Sequence, residues 1–381
     1  MNSDRIYLDY NASTPVDPGV AQVMRSAMDD GYGNPSSPHW AAIPAKDAVE
    51  RSRRQVATFL GCTPGEIVFT SGGSEANNLA LKGALLVRPR RRAHLITTQV
   101  EHPSVLSPCA FLERQGARVT YLPVDGTGLL DPDDLSRAIT RETVLVSVMH
   151  ANNEVGTIQP IAACAQIARD HGVPFHTDAA QSVGKIPTRV AELGINLLTI
   201  AGHKAYAPKG IGALYVRTGT RLEPLIHGGG HEGGRRAGTE SAMLTAALGA
   251  ACELAGDLTA MTTLRRLRDQ FWDALHSKLG DRVVLNGHPE QRLPNTLNVS
   301  FVGCNGAEIL AALDGVAAST GSACHSGQVE VSPVLRAMNV SKDVAMGAVR
   351  FSLGRATTAD EVAEVVEWIA AHLHRSPGRF T

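Results

Sequence analysis

Between about residue 65 and residue 217 the chain repeats one unit: a short, almost uninterrupted run of apolar and β-branched residues, then a stretch with helical periodicity. Strands that read apolar at successive positions have both faces covered, so they predict a mostly parallel sheet with helices on either side, an α/β fold. The expected strands are 66–70, 94–99, 118–124, 144–150, 173–178, 196–202 and 211–217, and segments such as 75–86 between them read as helices. A long helical region follows from Glu240 to Leu279, with a break expected near Gly256. TLNVSFV (296–302), a helix from Ala307, the VAAS run, VRFSL (349–353) and the periodic ADEVAEVVEWIAAHLH make up a smaller α+β unit. A chain of 381 residues exceeds the usual size of one domain. The expected division is a large domain over 13–260 and a small domain formed by 1–12 with 261–381.

The formal charge of −1 gives no reason to expect nucleic acid as a partner. A local cluster, Arg88, Arg90, Arg91 and Arg92, reads as a solvated loop. The six cysteines, Cys62, Cys109, Cys164, Cys252, Cys304 and Cys324, are scattered without a C-x-x-C pair, which suggests neither a zinc ribbon nor a disulfide framework. That usage suits a reducing compartment. The start, MNSDRIYLDYNASTP, shows no signal or transit pattern, and no run is apolar and long enough to span a bilayer. A cytoplasmic protein without a membrane segment is expected.

Three sites carry chemistry, each at the end of an expected strand. Ser71-Gly72-Gly73-Ser74-Glu75 is a glycine-rich turn into a helix, where free backbone N–H groups suit a phosphate; a plain helix cap by Ser74 is the competing explanation. Asp178, in HTDAAQ, could pair with a pyridinium nitrogen, or could simply cap the next turn. Lys204, in Gly202-His203-Lys204, could serve Schiff-base chemistry if desolvation lowers its pKa, although most lysines are merely exposed. A phosphorylated pyridine aldehyde needs an anion cradle, a carboxylate and an amine. The conjunction points to pyridoxal 5'-phosphate (PLP).

The motifs LDYNASTP (8–15), FTSGGSEANN (69–78), VEHPSV (100–105), NNEVG (152–156), HTDAAQSVGK (176–185), GHKAYAPKGIGALYVR (202–217), HGGGHEGGRRAGT (227–239), STGSAC (319–324) and VRFSLGR (349–355) resemble those of the NifS/IscS-type cysteine desulfurases. These belong to the class-V aminotransferases and to fold-type I of the PLP enzymes, with a mostly parallel seven-stranded sheet. The resemblance implies that Lys204 bonds the cofactor, Asp178 faces its pyridine nitrogen and Gln181 its phenolic oxygen. His102 would stack on the ring and move protons. Gly73, Ser74 and His203 would hold the phosphate, and Thr239 would reach the phosphate of a neighbouring subunit in a homodimer. Asn153 would touch cofactor and substrate; Asn11 and Arg350 would also bind substrate, a bidentate arginine suiting its carboxylate. Cys324 would be the nucleophile, forming a persulfide from L-cysteine, releasing L-alanine and passing sulfur to an acceptor such as an iron–sulfur scaffold or a thiolation relay.

Two positions depart from the pattern. Ala201 stands where desulfurases often place a phosphate-binding serine, and Ala207 replaces a glycine after the lysine. His227 and His231 are separated by three glycines, which disfavour the helix that an i, i+4 metal pair needs, and no metal is expected. That loop, with Arg235 and Arg236, is expected to shape the site's mouth and a dimer contact. Ala323-Cys324-His325-Ser326 also resembles the catalytic segment of selenocysteine lyase, which remains an alternative. A PLP aminotransferase or β-lyase, and a catalytically silent assembly partner, are the others.

Overall fold

The computed structural model describes residues 5–87, 93–320, 322–325 and 328–375, with the backbone alone for 322–325, 328–330 and 375. The Arg88–Arg92 cluster and the C-terminal SPGRFT lie outside the described residues. In chain order the strands are β1 (Ile6–Tyr7), β2 (Ile67–Thr70), β3 (His94–Thr98), β4 (Arg118–Leu122), β5 (Thr143–Ser147), β6 (Phe175–Asp178), β7 (Leu197–Ala201), β8 (Gly212–Val216), β9 (Val283–Asn286), β10 (Thr296–Phe301), β11 (Val316–Ala317), β12 (Ser319–Thr320), β13 (Ser322–His325), β14 (Gln328–Val331) and β15 (Ala348–Ser352).

The seven expected strands form one sheet in the order β2-β8-β7-β6-β5-β3-β4. Every pairing from β7 across to β4 is parallel, while β8 runs antiparallel to both β7 and β2. The reversal follows from chain length, because the short 202–211 connection is too brief for a parallel crossover. Both faces are covered. One carries a core that includes Val49, Val56, Ile96, Phe175 and Leu248, and the other a core that includes Leu79, Leu95, Cys109 and Leu214.

Helices Pro18–Asp30 and Ile43–Leu60, for which the sequence patterns raised no expectation, pack with helix Ala242–Ala255 on the first face. Their starts follow local rules: Asp17 caps the first by accepting from Gly19 N, and each has proline in its first turn. The break near Gly256 is present. The helix ends there, and Thr259–Leu279 begins a new one with Asp257 Oδ1 accepting from Thr259 N.

A second sheet, β12-β15-β10-β9, is antiparallel. It shares a separate apolar core with Leu8, Phe271 and Val365, and β1 joins that region by pairing with β11. From β1 the chain runs directly to the carboxyl edge of the first sheet.

Candidate active site

Strands β3, β5, β6 and β7 are parallel, so the loops after them emerge on one edge of the sheet; β2 runs parallel to β7 across β8 and delivers Gly72-Gly73 to the same edge. Ligands bind at such an edge because the loops there can diverge around them. A cavity of about 410 Å³ lies there, lined by Gly73, Ser74, Asn77, His102, Asn153, Asp178, Gln181, His203, Lys204 and Arg350, with Asn11 and Ala201 also at its wall.

Lys204 Nζ donates to the carbonyls of Asn11 (2.7 Å) and Ala12 (2.8 Å). Burial, and then the Arg350 guanidinium, push its pKa down to about 8, against the pull of Asp178 and Asp9. Asp178 Oδ2 accepts from Asn77 Nδ2 at 2.7 Å, and Oδ1 accepts from Ala180 N at 2.9 Å. Asp178 therefore does hold its own turn, yet it also lines the cavity.

Ser74 does not cap the helix Gly73–Leu86; Gly72 is its cap residue and supplies no side chain. A Cβ on Gly73 would stand 3.0 Å from the Ala201 Cβ, so the glycine keeps the cradle open. Ala201 contributes a methyl where a serine would have offered a donor. Ala207 is harmless: it is buried, its N–H closes on Gly202 O, and the left-handed residue of that loop is Tyr206 (φ 64°).

His102 Nδ1 accepts from Ser104 N at 3.1 Å, which leaves the proton on Nε2. Burial lowers its pKa, Lys204 adds to the effect and Asp178 opposes it. Burial, with the nearby Lys204, brings His203 to about 4, a neutral imidazole. Arg350 donates to Asn153 O (2.9 Å), Asp9 Oδ1 (2.7 Å) and Ser319 Oγ (2.9 Å), and its buried Nε finds no acceptor among the described residues.

An open anion cradle, a buried carboxylate, a depressed amine and an arginine with a spare buried donor fit pyridoxal phosphate with an amino-acid substrate. Among the described residues no group of three or more His, Cys, Asp or Glu could hold a metal ion.

The backbone of Cys324 lies in the β13–β14 hairpin, opposite Val329; its side chain is outside the description. The hairpin's flanks are tied to the site. Ser319 bonds Arg350, and Ser332 bonds Glu154, the neighbour of Asn153. The other cysteines are inert by environment: burial raises Cys62, Cys109, Cys164 and Cys252 to about 12 and raises Cys304 as well.

The structure does not bring Thr239 to this cavity; it is exposed in the loop after Arg236. That loop is pinned from below. Arg236 pairs with Glu75, and the buried Glu232 pairs with Arg53 while accepting from Phe69 N. His231 is engaged as an acceptor from Gly238 N.

Sequence reasoning assigned no role to Asn77, Asp9 or Glu101, although all three sit inside motifs it singled out. Glu101 is fully enclosed, accepts from Met149 N and Thr98 Oγ1, and is pushed by burial to about 8. It joins the ends of β3 and β5 as a largely neutral acid.

Residues 6–365 match the Aminotransferase class-V family. Over 363 residues the chain is 47% identical to the cysteine desulfurase IscS of Dictyoglomus turgidum, covering 94% of this chain and 91% of that protein. The chain belongs to this family, among its cysteine desulfurases. The IscS of Pectobacterium atrosepticum is 45% identical over 377 residues, 97% of this chain and 93% of that one. A solved NifS-like protein superposes with a TM-score of 0.92 at 36% identity, covering 98% of this chain and 100% of that chain. A structure of SspA in complex with cysteine gives 0.83 at 39% identity, covering 92% and 99%. The desulfurase is thus a fold-type I PLP enzyme, and these names favour cysteine desulfurase over the selenocysteine lyase and aminotransferase alternatives.

Proposed function

We propose that this desulfurase converts L-cysteine to L-alanine with Lys204 as the proton-transferring base and Cys324 as the sulfur acceptor. Arg350, with Asn11 and Asn153, binds the substrate, the guanidinium taking its carboxylate. Gly73, Ser74 and His203 would hold the cofactor phosphate, Asp178 would keep the pyridine nitrogen protonated, Gln181 would donate to the phenolic oxygen, and His102 would lie against the ring. Bound pyridoxal phosphate supplies an electron sink for the pair left behind when Cα loses its proton. Lys204 takes that proton as a free amine. The Cys324 thiolate attacks the substrate sulfur, the S–S bond forms as the C–S bond breaks, and the bond's electrons stay with carbon, which is then protonated to give alanine. A sulfur-acceptor protein, an iron–sulfur scaffold or a thiolation relay, takes the persulfide.

The observation that carries this reading is the meeting of Lys204, Asp178 and Arg350 at one cavity, although they come from the turn after β7, from the end of β6 and from β15. A large domain (13–260) and a small one (1–12, 261–381) account for the separate cores, and a cytoplasmic homodimer in which Thr239 serves the neighbouring site accounts for its absence from the wall of this one. The test is alanine formation from L-cysteine and from L-selenocysteine by wild type and Cys324→Ala. Turnover of cysteine in the presence of a thiol reductant, lost in the variant, is the expected result. Turnover of selenocysteine alone would return the lyase reading.

A further inference from the structure

Lys185 ends the HTDAAQSVGK stretch and is buried. Its Nζ lies 2.8 Å from Gln181 Oε1 and 3.1 Å from Asn11 Oδ1, and no carboxylate pairs with it among the described residues. Amide oxygens only accept, so both contacts require Lys185 to donate. Both oxygens therefore face Nζ, and both NH2 groups face away from it. Gln181 Nε2 donates to the Asn11 carbonyl at 2.9 Å, the same carbonyl that accepts from Lys204 Nζ. Asn11 Nδ2 donates to Thr296 Oγ1 at 2.8 Å. Without a donor at that spot, the Gln181 oxygen is left buried and unpaired, and only the Asn11 carbonyl still holds the amide this way round.

We propose that Lys185 is a positioning residue: by donating to the oxygen of Gln181 it turns that amide's N–H edge, and not its oxygen, toward the phenolic oxygen of the cofactor. The inference rests on the placement of Gln181 made under Proposed function. An oxygen edge would face the anionic phenolic oxygen and repel it. Burial, with the positive charges of Lys204 and Arg350, holds the Lys185 pKa well below 10.5, so a donor sits there without the full cost of an unpaired buried charge.

The test follows the visible absorption of the holoenzyme against pH in wild type, Gln181→Ala, Lys185→Met and the double variant. A donor on the phenolic oxygen stabilises negative charge there and eases proton loss from the adjoining lysine–cofactor linkage, so its removal raises the midpoint. Gln181→Ala is expected to raise it by about one pH unit, a tenfold change in proton affinity, and Lys185→Met to raise it by a smaller amount, because the Asn11 carbonyl still favours the N–H edge. The double variant should move it no further than Gln181→Ala, and Lys185→Gln, which keeps a donor, should bring the midpoint most of the way back to the wild-type value. If Gln181→Ala leaves the midpoint unmoved, the placement of Gln181 is wrong and the inference falls with it. If Gln181→Ala moves it while Lys185→Met does not, or the two shifts add, that placement stands and the role of Lys185 is overturned. Should Lys185→Met not fold, Lys185→Ser, whose hydroxyl reaches neither oxygen, replaces it with the same expected outcomes.

Discussion

Lys204 can take a proton only as a free amine, and burial beside Arg350 supplies that form near neutral pH. The same burial costs stability. The folded pKa of about 8 lies below the usual 10.5, so between those values the unfolded chain binds more protons and stability rises with pH; below 8 the whole penalty is present. In the cofactor-free protein Lys204→Met should therefore raise the melting temperature at pH 7, the gain in stability being at most about 3 kcal/mol before the lost hydrogen bonds are subtracted. The gain should fade as pH approaches 10.5, and activity should vanish throughout. Parallel thermal melts of both proteins across this range check it; a destabilised variant at pH 7 would mean that the bonds to Asn11 and Ala12 outweigh the desolvation. Lys204 and Asp178 were legible in the sequence because each sits at the end of a strand among small residues. Asn77 and Asp9 were not, because their partners Asp178 and Arg350 lie 101 and 341 positions away.

At the level of elements, the phosphate cradle depends on how closely β8 passes the turn after β2. A Cβ on Gly212 would lie 2.5 Å from Ile200 O and 2.8 Å from the Gly72 backbone. Gly212→Ala must push the cradle turn or β7 aside, at a cost of about 1–3 kcal/mol, and should weaken cofactor retention. Gly65→Ala, whose Cβ would meet nothing within 4 Å, is the control and should leave both unchanged. Melting curves and cofactor titration of the two variants distinguish a local effect on the cradle from a general intolerance of alanine. The strands were legible from their apolar runs, and so was the helical break near Gly256. Helices Pro18–Asp30 and Ile43–Leu60 were not anticipated: several of their apolar side chains, including Val23, Met28 and Ile43, are exposed in the single chain, which blurs the one-sided pattern a reader looks for.

For the whole molecule, the site is a meeting of distant segments. The N-terminal stretch leaves the second core at Leu8, offers Asp9 to Arg350, and passes its Asn11 and Ala12 carbonyls to Lys204. Thr239 is exposed and does not line this cavity, so its proposed role requires a second chain. Sedimentation velocity at micromolar concentration should give a dimer. Thr239→Ala should leave the melting temperature of the cofactor-free protein unchanged while weakening cofactor binding several-fold, the worth of about 1 kcal/mol from one hydrogen bond. A monomer that binds cofactor with wild-type affinity would remove Thr239 from the site.

The sequence by itself determined the α/β class, the strands, and the motif residues at their ends, because these depend on local periodicity and on small residues at turns. Only the tertiary structure decided that β8 reverses, that Ser74 caps nothing, that Tyr206 and not Ala207 takes the left-handed turn, and that Thr239 stands apart. It also decided which partners set the chemistry: Arg350 and burial depress Lys204, Asn77 holds Asp178, and Lys185 faces two amide oxygens. Desolvation and hydrogen bonding depend on what packs around a group, and here the packing comes from opposite ends of the chain.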